Sequence, residues 1–379
     1  MKIVCNKDEL IKGMQIISSA ISLKSTLPVL LNFLLETNKE KLKISATDLE
    51  IAIQCYINGD IIDNGSITIP AKKFTDIVKE LQHDNIIEIL TEETNKIIIK
   101  SKTSVFNIIG ISKDEYPIIP QFPIENNFNI KKELFIQMLK KTIFAASKDS
   151  QRYILNGICF DINNNVFKMI ATDGKRLSYI VTNKIYSNLN CKLVVPVKSA
   201  QDILRLLIYD ISCCEEIKIG VTKNQISIKI NDIIFVSTLI DGVFPNYDQV
   251  IPKTHKTSVV LDVKETITAV KQMSTIAIDK LALDRTSSIK FSFDKNILKI
   301  SASTVGVGFG DVTINSDYCG EPISFNFNPV FIKDALQNID TNFTVFEFND
   351  SIDPVVITEK HKDGIYNKDF FCVIMPMRA

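Results

Sequence analysis

The feature that most restricts how this 379-residue chain can fold is that it repeats itself. Three segments share one order of features. Each opens with a short extended run, at 2–5, 128–130 and 258–261. A helix-period stretch follows: Leu10, Met14, Ile17 and Ile21 share one face in the first segment, and Leu134, Met138 and Ala145 keep the same step in the second. Alternating strands come next and end in Thr-Asp, at Thr47-Asp48 and again 125 residues later at Thr172-Asp173. The second half of each segment repeats too. Extended runs ending at Pro70 and Pro196, 126 residues apart, each lead into a helix, and 323–327 precedes a third. The segments close near Pro117, Pro245 and Pro376. Landmarks held at near-constant offset mark tandem structural repeats.

The two halves of a segment also share a pattern, strand, helix, then three strands. Six βαβββ units of about 60 residues follow, which places the chain in the α+β class with helices and antiparallel sheets in separate layers. The expected domains are 1–123, 127–253 and 256–379.

No apolar leader opens the chain, since Ile3 and Val4 run straight into Asn6, Lys7, Asp8 and Glu9. Apolar runs are broken within a few residues, too soon for a membrane span. The reading is cytosolic. Of Cys5, Cys55, Cys159, Cys191, Cys213, Cys214, Cys319 and Cys372, none forms a C-x-x-C pair, which suggests buried free thiols in a reducing compartment. His83, His255 and His361 lie far apart among polar neighbours, so no metal and no cofactor is expected.

Lys+Arg and Asp+Glu balance at 44 each, which excludes a protein coated in positive charge. The balance hides a segregation. The helix-like stretches 7–24, 72–82, 131–148, 198–208, 263–280 and 329–339 hold 17 basic against 9 acidic residues. Helix propensity does not explain that sign, because Glu forms helices nearly as well as Lys.

An enzyme finds little support. Asp48 and Asp173 recur, but in turn-like contexts where Asp caps backbone N–H groups. Gly306-Val307-Gly308-Phe309-Gly310 lies between strands and opens no helix, so it is not a phosphate cradle.

Six stretches in order resemble the bacterial β sliding clamp family. They are Thr26-Leu27-Pro28-Val29-Leu30, Ala46-Thr47-Asp48-Leu49-Glu50, Arg152-Tyr153-Ile154-Leu155-Asn156-Gly157 and Ala171-Thr172-Asp173-Gly174-Lys175-Arg176-Leu177. Asp241-Gly242-Val243-Phe244-Pro245-Asn246-Tyr247 and Val373-Ile374-Met375-Pro376-Met377-Arg378 complete the set. The resemblance implies three similar domains, two protomers joined head to tail in a ring, helices lining the hole and sheets outside. It also implies a non-catalytic processivity factor that slides on duplex DNA and tethers polymerase. A clamp-fold protein scaffold without a DNA role is the alternative.

Helices packed roughly 9 Å apart make the ring reading geometrically sound: twelve leave a hole of about 24 Å, enough for a duplex of roughly 20 Å, whereas six leave about 7 Å. Two chains are needed. By resemblance, Lys24, Lys148, Arg152, Tyr153 and Lys198 approach DNA. A cleft for short peptides from polymerase, clamp loader and repair proteins is expected from Leu155, Thr172, Gly174, Lys175, Arg176, Leu177, Pro245, Val250, Asn328, Ile352, Pro354, Val373, Met375, Pro376, Met377 and Arg378. Phe106, Ile108 and Ile276 match the apolar contacts of the dimer seam. The sequence departs from some relatives at Lys175 (His there), at Gln249 (Arg there) and at Ala379, where a larger apolar residue is usual.

Overall fold

A computed structural model describes residues 1–379 apart from 23–24, 39, 82–84, 93, 210–213, 278–286, 361–365 and 379. The first segment runs β1 (Lys2–Asn6), α1 (Lys7–Ile17), β2 (Asn32–Asn38), β3 (Lys41–Thr47), β4 (Ile51–Asp63), β5 (Ser66–Pro70), α2 (Ala71–Glu80), β6 (Ile86–Thr91), β7 (Lys96–Lys100) and β8 (Val105–Ile109). The second runs β9 (Asn127–Lys131), α3 (Lys132–Ile143), β10 (Gly157–Asn163), β11 (Val166–Thr172), β12 (Arg176–Thr182), β13 (Asn190–Pro196), α4 (Val197–Tyr209), β14 (Glu216–Val221), β15 (Gln225–Ile230) and β16 (Ile233–Thr238). The third runs β17 (Thr257–Asp262), α5 (Val263–Ala277), β18 (Ile289–Asp294), β19 (Ile297–Thr304), β20 (Gly308–Asn315), β21 (Ile323–Phe327), α6 (Pro329–Gln337), β22 (Phe343–Phe348), β23 (Val355–Lys360) and β24 (Tyr366–Ile374). Each segment is βαβββ twice over, as the repeat predicts.

Local chemistry explains the pattern. In β7, Ile97 and Ile99 are fully buried while Lys96, Ile98 and Lys100 are only half so, the two-residue period of a strand with one face on a core. Three of the helices start at side-chain caps. Asn6 Oδ1 accepts from the N–H groups of Asp8 (2.8 Å) and Glu9 (3.3 Å) before α1. Asp262 Oδ1 accepts from Glu265 N at 2.9 Å, and Asn328 Oδ1 from Val330 N at 2.9 Å, with Pro329 at the first helical position.

Two helices end earlier than their periodicity suggests. α1 stops at Ile17 and passes into a 3-10 turn, Ser18–Ala20. α3 stops at Ile143 rather than 148. There Thr142 Oγ1 donates back to Met138 O (2.8 Å), and Ser147 N donates to Leu155 O (2.9 Å), which draws the chain off the helix axis.

The chain forms two compact units. The first holds Met1–Phe135 and Lys198–Leu239. Its sheet runs β8-β7-β6-β1-β4-β16-β15-β14-β9, with β3, β2 and β5 branching from β4. The thirteen-residue β4 is the hinge of that order: its first residues pair with β16 (Ile53↔Phe235, Cys55↔Ile233) and its last with β1 (Gly59↔Cys5, Asp63↔Lys2). The second unit holds Ile136–Val197 and Ile240–Ala379. It contains an eight-stranded sheet, β13-β10-β11-β12-β24-β23-β22-β17, and a four-stranded sheet, β20-β19-β18-β21. These units divide the middle segment because its two sheets run on into its neighbours, through β16–β4 and through β12–β24 (Leu177↔Val373, Tyr179↔Phe371).

The core of the third segment is aromatic. Phe291, Phe293, Phe325, Phe327, Phe346 and Phe348 are all essentially buried, with neighbouring ring centroids 4.9–6.4 Å apart. Phe291 stacks on Phe346 at 6.1 Å and so joins the four-stranded sheet to the eight-stranded one. Each such ring contributes about 1.5–3 kcal/mol by leaving water.

Cys5, Cys55, Cys159 and Cys372 are buried, and burial pushes their thiols up to about 12. Cys319 is exposed and Cys191 and Cys214 half-buried, so burial does not extend to every cysteine. Cys213, His83 and His361 lie outside the described residues.

Candidate partner cleft, nucleic-acid face and seam

The recurring Thr-Asp turn is the same object in both repeats. Asp48 Oδ1 accepts from the backbone of Glu50 (3.0 Å) and Ile51 (2.8 Å), and Asp173 Oδ1 from Lys175 (2.9 Å) and Arg176 (3.0 Å). Thr47 and Thr172 donate to Ile51 O and Arg176 O. The residue after each Asp has positive φ, 77° at Leu49 and 86° at Gly174. A carboxylate already bound to two backbone N–H groups is a cap, and neither Asp is presented to a substrate. The 306–310 glycines lie in the β19–β20 hairpin and strand β20, with no helix following.

The second unit gathers the cleft candidates at one end of its large sheet. Arg176 at the start of β12 pairs with Ile374 at the end of β24, which pairs with Val355 at the start of β23. Thr172 closes β11 opposite Leu177, and Gly157 opens β10 just after Leu155. Residues far apart in sequence therefore leave the sheet together: Leu155, the 172–177 turn, Pro354 with Ile352, and the tail after Ile374. Two backbone bonds fix that tail, Met375 N to Lys175 O (3.0 Å) and Met377 N to Asn326 O (2.7 Å).

The candidates divide by depth. Leu155, Leu177 and Val373 are buried in one apolar cluster with Phe244, Tyr247, Ile170 and Val356, so they form the floor and not the surface. Val250 (49% exposed), Ile352 (77%) and Met375 (42%) are apolar and open to solvent. Pro245, Gly174, Lys175 and Arg378 are exposed, while Thr172, Asn328, Pro354, Pro376 and Met377 are half-buried. Gln249 is exposed at the end of a 3-10 turn, and Ala379 lies outside the described residues.

Arg176 is tied down on three sides. Its Nε donates to Asp173 (3.0 Å), Nη1 to Asp334 (2.8 Å) and Nη2 to Phe144 O (2.6 Å), with the guanidinium 4.5 Å from the Phe331 ring. Every nitrogen is occupied, so Arg176 braces the turn against α6. Among the residues that sequence reasoning left out are Phe244, Tyr247, Ile154, Ile240 and Ile251, which pack in or against the floor. Tyr247 is anchored by donating to Asp161 (2.7 Å); burial and that carboxylate push its hydroxyl up. The quoted stretch 241–247 held this signal, since its two aromatics flank Pro245.

Of the DNA candidates, Lys24 lies outside the described residues. Lys148 is exposed just beyond α3. Arg152 and Tyr153 are exposed on a 3-10 stretch: Arg152 Nη1 sits where a side chain on Gly174 would project (2.6 Å), and the Tyr153 hydroxyl faces Gly242 (3.4 Å). Lys198 is exposed at the start of α4 and pairs with Asp48 at 3.3 Å.

The helix charge is smaller than the sequence stretches imply. The six observed helices hold 13 basic and 8 acidic residues. Lys131 and Lys148 fall outside helix ends, and Lys141 is buried in an ion pair with Glu359. The asymmetry survives in placement. Asp8, Glu9, Glu133 and Glu265 occupy first turns, where the helix dipole favours them, and Asp202 and Asp334 are paired with Arg205 and Arg176. The exposed helix bodies keep Lys12, Lys72, Lys73, Lys79, Lys140, Lys264 and Lys271 against Asp76 and Glu80 of α2.

The seam candidates lie at open sheet edges. β8, carrying half-buried Phe106 and Ile108, is an edge strand of the first unit. Ile276, half-buried near the end of α5, packs beside Gly310 of β20, an edge strand of the second unit.

Known proteins place this arrangement. The chain of beta sliding clamp from Chlamydia pneumoniae is 30% identical over 384 residues, covering 100% of this chain and 99% of that one. The beta sliding clamp of Pseudomonas aeruginosa is 28% identical over 380 residues, with both chains fully covered. Among solved structures, the DNA polymerase sliding clamp from Bacillus subtilis superposes with a TM-score of 0.92 at 26% identity over 100% of this chain and 99% of that one. A crystal structure of the Pseudomonas aeruginosa DNA polymerase III subunit beta gives 0.91 at 28% identity, with full coverage of both. Three domain families match in order, the DNA polymerase III beta subunit N-terminal domain over residues 1–120, its central domain over 129–246 and its C-terminal domain over 248–378. With all three in order along its length, the chain belongs to the DNA polymerase III beta subunit family, the sliding clamps, whose role in replication is processivity and not catalysis.

Proposed function

We propose that two copies of this chain close head to tail into a ring around duplex DNA and hold the replicative polymerase on it. The observation that carries the reading is that two unlike sheet edges of one chain, β8 and β20, hold or adjoin the apolar seam candidates, Phe106 and Ile108 on the first and Ile276 beside the second. Unlike edges join head to tail, and a head-to-tail contact either closes or propagates. Closure after two copies gives twelve helices and the space a duplex needs. The exposed lysines of α1, α2, α3 and α5, with Lys24, Lys148, Arg152, Tyr153 and Lys198, then meet phosphates without reading bases. Sliding follows from that lack of sequence preference.

The cleft at the end of the large sheet takes short peptides carrying Gln and apolar or aromatic side chains, supplied by polymerase, clamp loader and repair proteins. Val250, Ile352 and Met375 are the exposed apolar contacts over the Leu155–Leu177–Val373 floor. Two or three anchors at about 1.5–3 kcal/mol each give affinity near the micromolar range after ordering costs, weak enough for exchange. Methionine suits a surface that repacks around several ligands. The work is done in the cytoplasm.

Primer extension with a DNA polymerase III core and its clamp loader tests the reading. Adding this chain lengthens the products of single binding events, while Val250→Ala/Met375→Ala protein does not. Product lengths that never respond to the chain contradict it.

A further inference from the structure

We propose that a cavity between the ends of α1 and α4 binds a small organic cation, an amidinium, guanidinium or primary ammonium on a flat apolar body, through the carboxylate of Asp202. The site lies within the first unit and depends on neither the ring nor the peptide cleft.

The cavity has a volume of about 620 Å³, in the range that encloses a small organic molecule. The end of α1 and the 3-10 turn after it form one side, and the second half of α4 the other. Its apolar lining is partly open to solvent: Leu206 is buried and Ile16 half-buried, but Ile208 is 58% exposed and Tyr209 46%. The Tyr209 hydroxyl donates to Gln15 Oε1, so the two sides are held together beside the space they enclose.

Into this apolar lining α4 sets an acid. The Asp202 side chain is 5% exposed, and a charge so deep is rarely found without a close partner. The partner is Arg205, whose Nη1 lies 3.0 Å from Asp202 Oδ1 but whose side chain is 73% exposed. An ion pair to so solvated a guanidinium is weak. The carboxyl group reflects that weakness. Burial raises it above its ordinary value, Arg205 and Lys198 lower it by less, and Asp48 adds to the rise. A buried anion that its own cations compensate incompletely, beside an open apolar cavity, suits a ligand with the complementary charge. The ligand's cation takes the place of Arg205, which turns out into water at little cost. Its flat body covers Ile16, Leu206 and Ile208 and lies against the Tyr209 ring. An anionic ligand has no such fit, because it brings a second negative charge up to Asp202.

Isothermal titration of the full chain with benzamidine tests this. The expected dissociation constant is about 0.1–1 mM, the range open to a ligand of that size. Neutral benzamide and anionic benzoate bind at least about tenfold more weakly. Asp202→Asn keeps the shape of the side chain and weakens benzamidine at least about tenfold. Arg205→Ala removes the competing cation and tightens it about threefold. Ser19→Trp plugs the cavity from an exposed position, away from Asp202 in sequence, and abolishes binding with the circular dichroism and thermal midpoint of the parent. Benzamidine that binds Asp202→Asn or Ser19→Trp protein as tightly as the parent overturns the proposal. So does benzamide that matches benzamidine, or a parent chain that gives no binding heat up to about 10 mM.

Discussion

Lys141→Met lowers the unfolding free energy by about 3–5 kcal/mol, the cost of leaving one partner of a buried ion pair alone. Lys141 and Glu359 are both 3% exposed and paired, and Lys141 also meets Asp340 at 2.9 Å. Glu359 accepts as well from Asp340 N (2.9 Å) and Asn367 Nδ2 (2.6 Å), and Lys141 Nζ sits 4.2 Å from the Phe370 ring. Removing the ammonium leaves a carboxylate out of water with only neutral donors. Adding Glu359→Gln returns only part of the loss: the charge is gone, but the two donors reach different carboxylate oxygens and the amide keeps an acceptor for one of them. Urea unfolding followed by circular dichroism measures both variants. A single variant within about 1 kcal/mol of the parent contradicts the account. Acid acts on the same network. Burial alone would raise the Asp340 carboxyl, but Lys141's hydrogen bond and charge bring it below its ordinary value. Its stabilisation is therefore full above the unfolded carboxyl's pKa and is lost as pH falls through the lower folded one.

The second large effect belongs to the cleft. Val250→Ala/Met375→Ala weakens binding of a labelled peptide bearing Gln and two apolar or aromatic residues by about ten- to a hundredfold. Dimerisation and folding are unchanged, because both side chains face solvent. Leu177 and Val373 are the wrong probes, since they are core residues whose loss leaves a cavity. Fluorescence anisotropy decides it, and undiminished affinity in the double variant removes the cleft from this end of the sheet.

The repeat made the fold legible. A period-two or helical step records which face a residue buries, and burial is what both copies of a unit share. The Thr-Asp turn was readable for the same reason: local hydrogen bonding at Asp48 and Asp173 needs only neighbouring residues. Long-range pairing leaves no such trace. Nothing near Lys141 in sequence announces Glu359, 218 residues away, so a lysine counted as helix surface charge proved to be interior. Arg176 likewise stands in the expected stretch, yet its partners Asp334 and Phe144 O come from elsewhere in the chain. The fusion of β16 with β4 and of β12 with β24 was also invisible, because an edge strand and a paired one carry the same alternation.

The topological link itself is tested by loading labelled protein onto nicked circular DNA with a clamp loader, washing in high salt, and cutting the circle once. Protein that stays on the closed circle and leaves promptly through the new ends is what a ring held by closure requires. Protein washed off the intact circle, or retained equally after the cut, is bound by surface affinity alone and contradicts it.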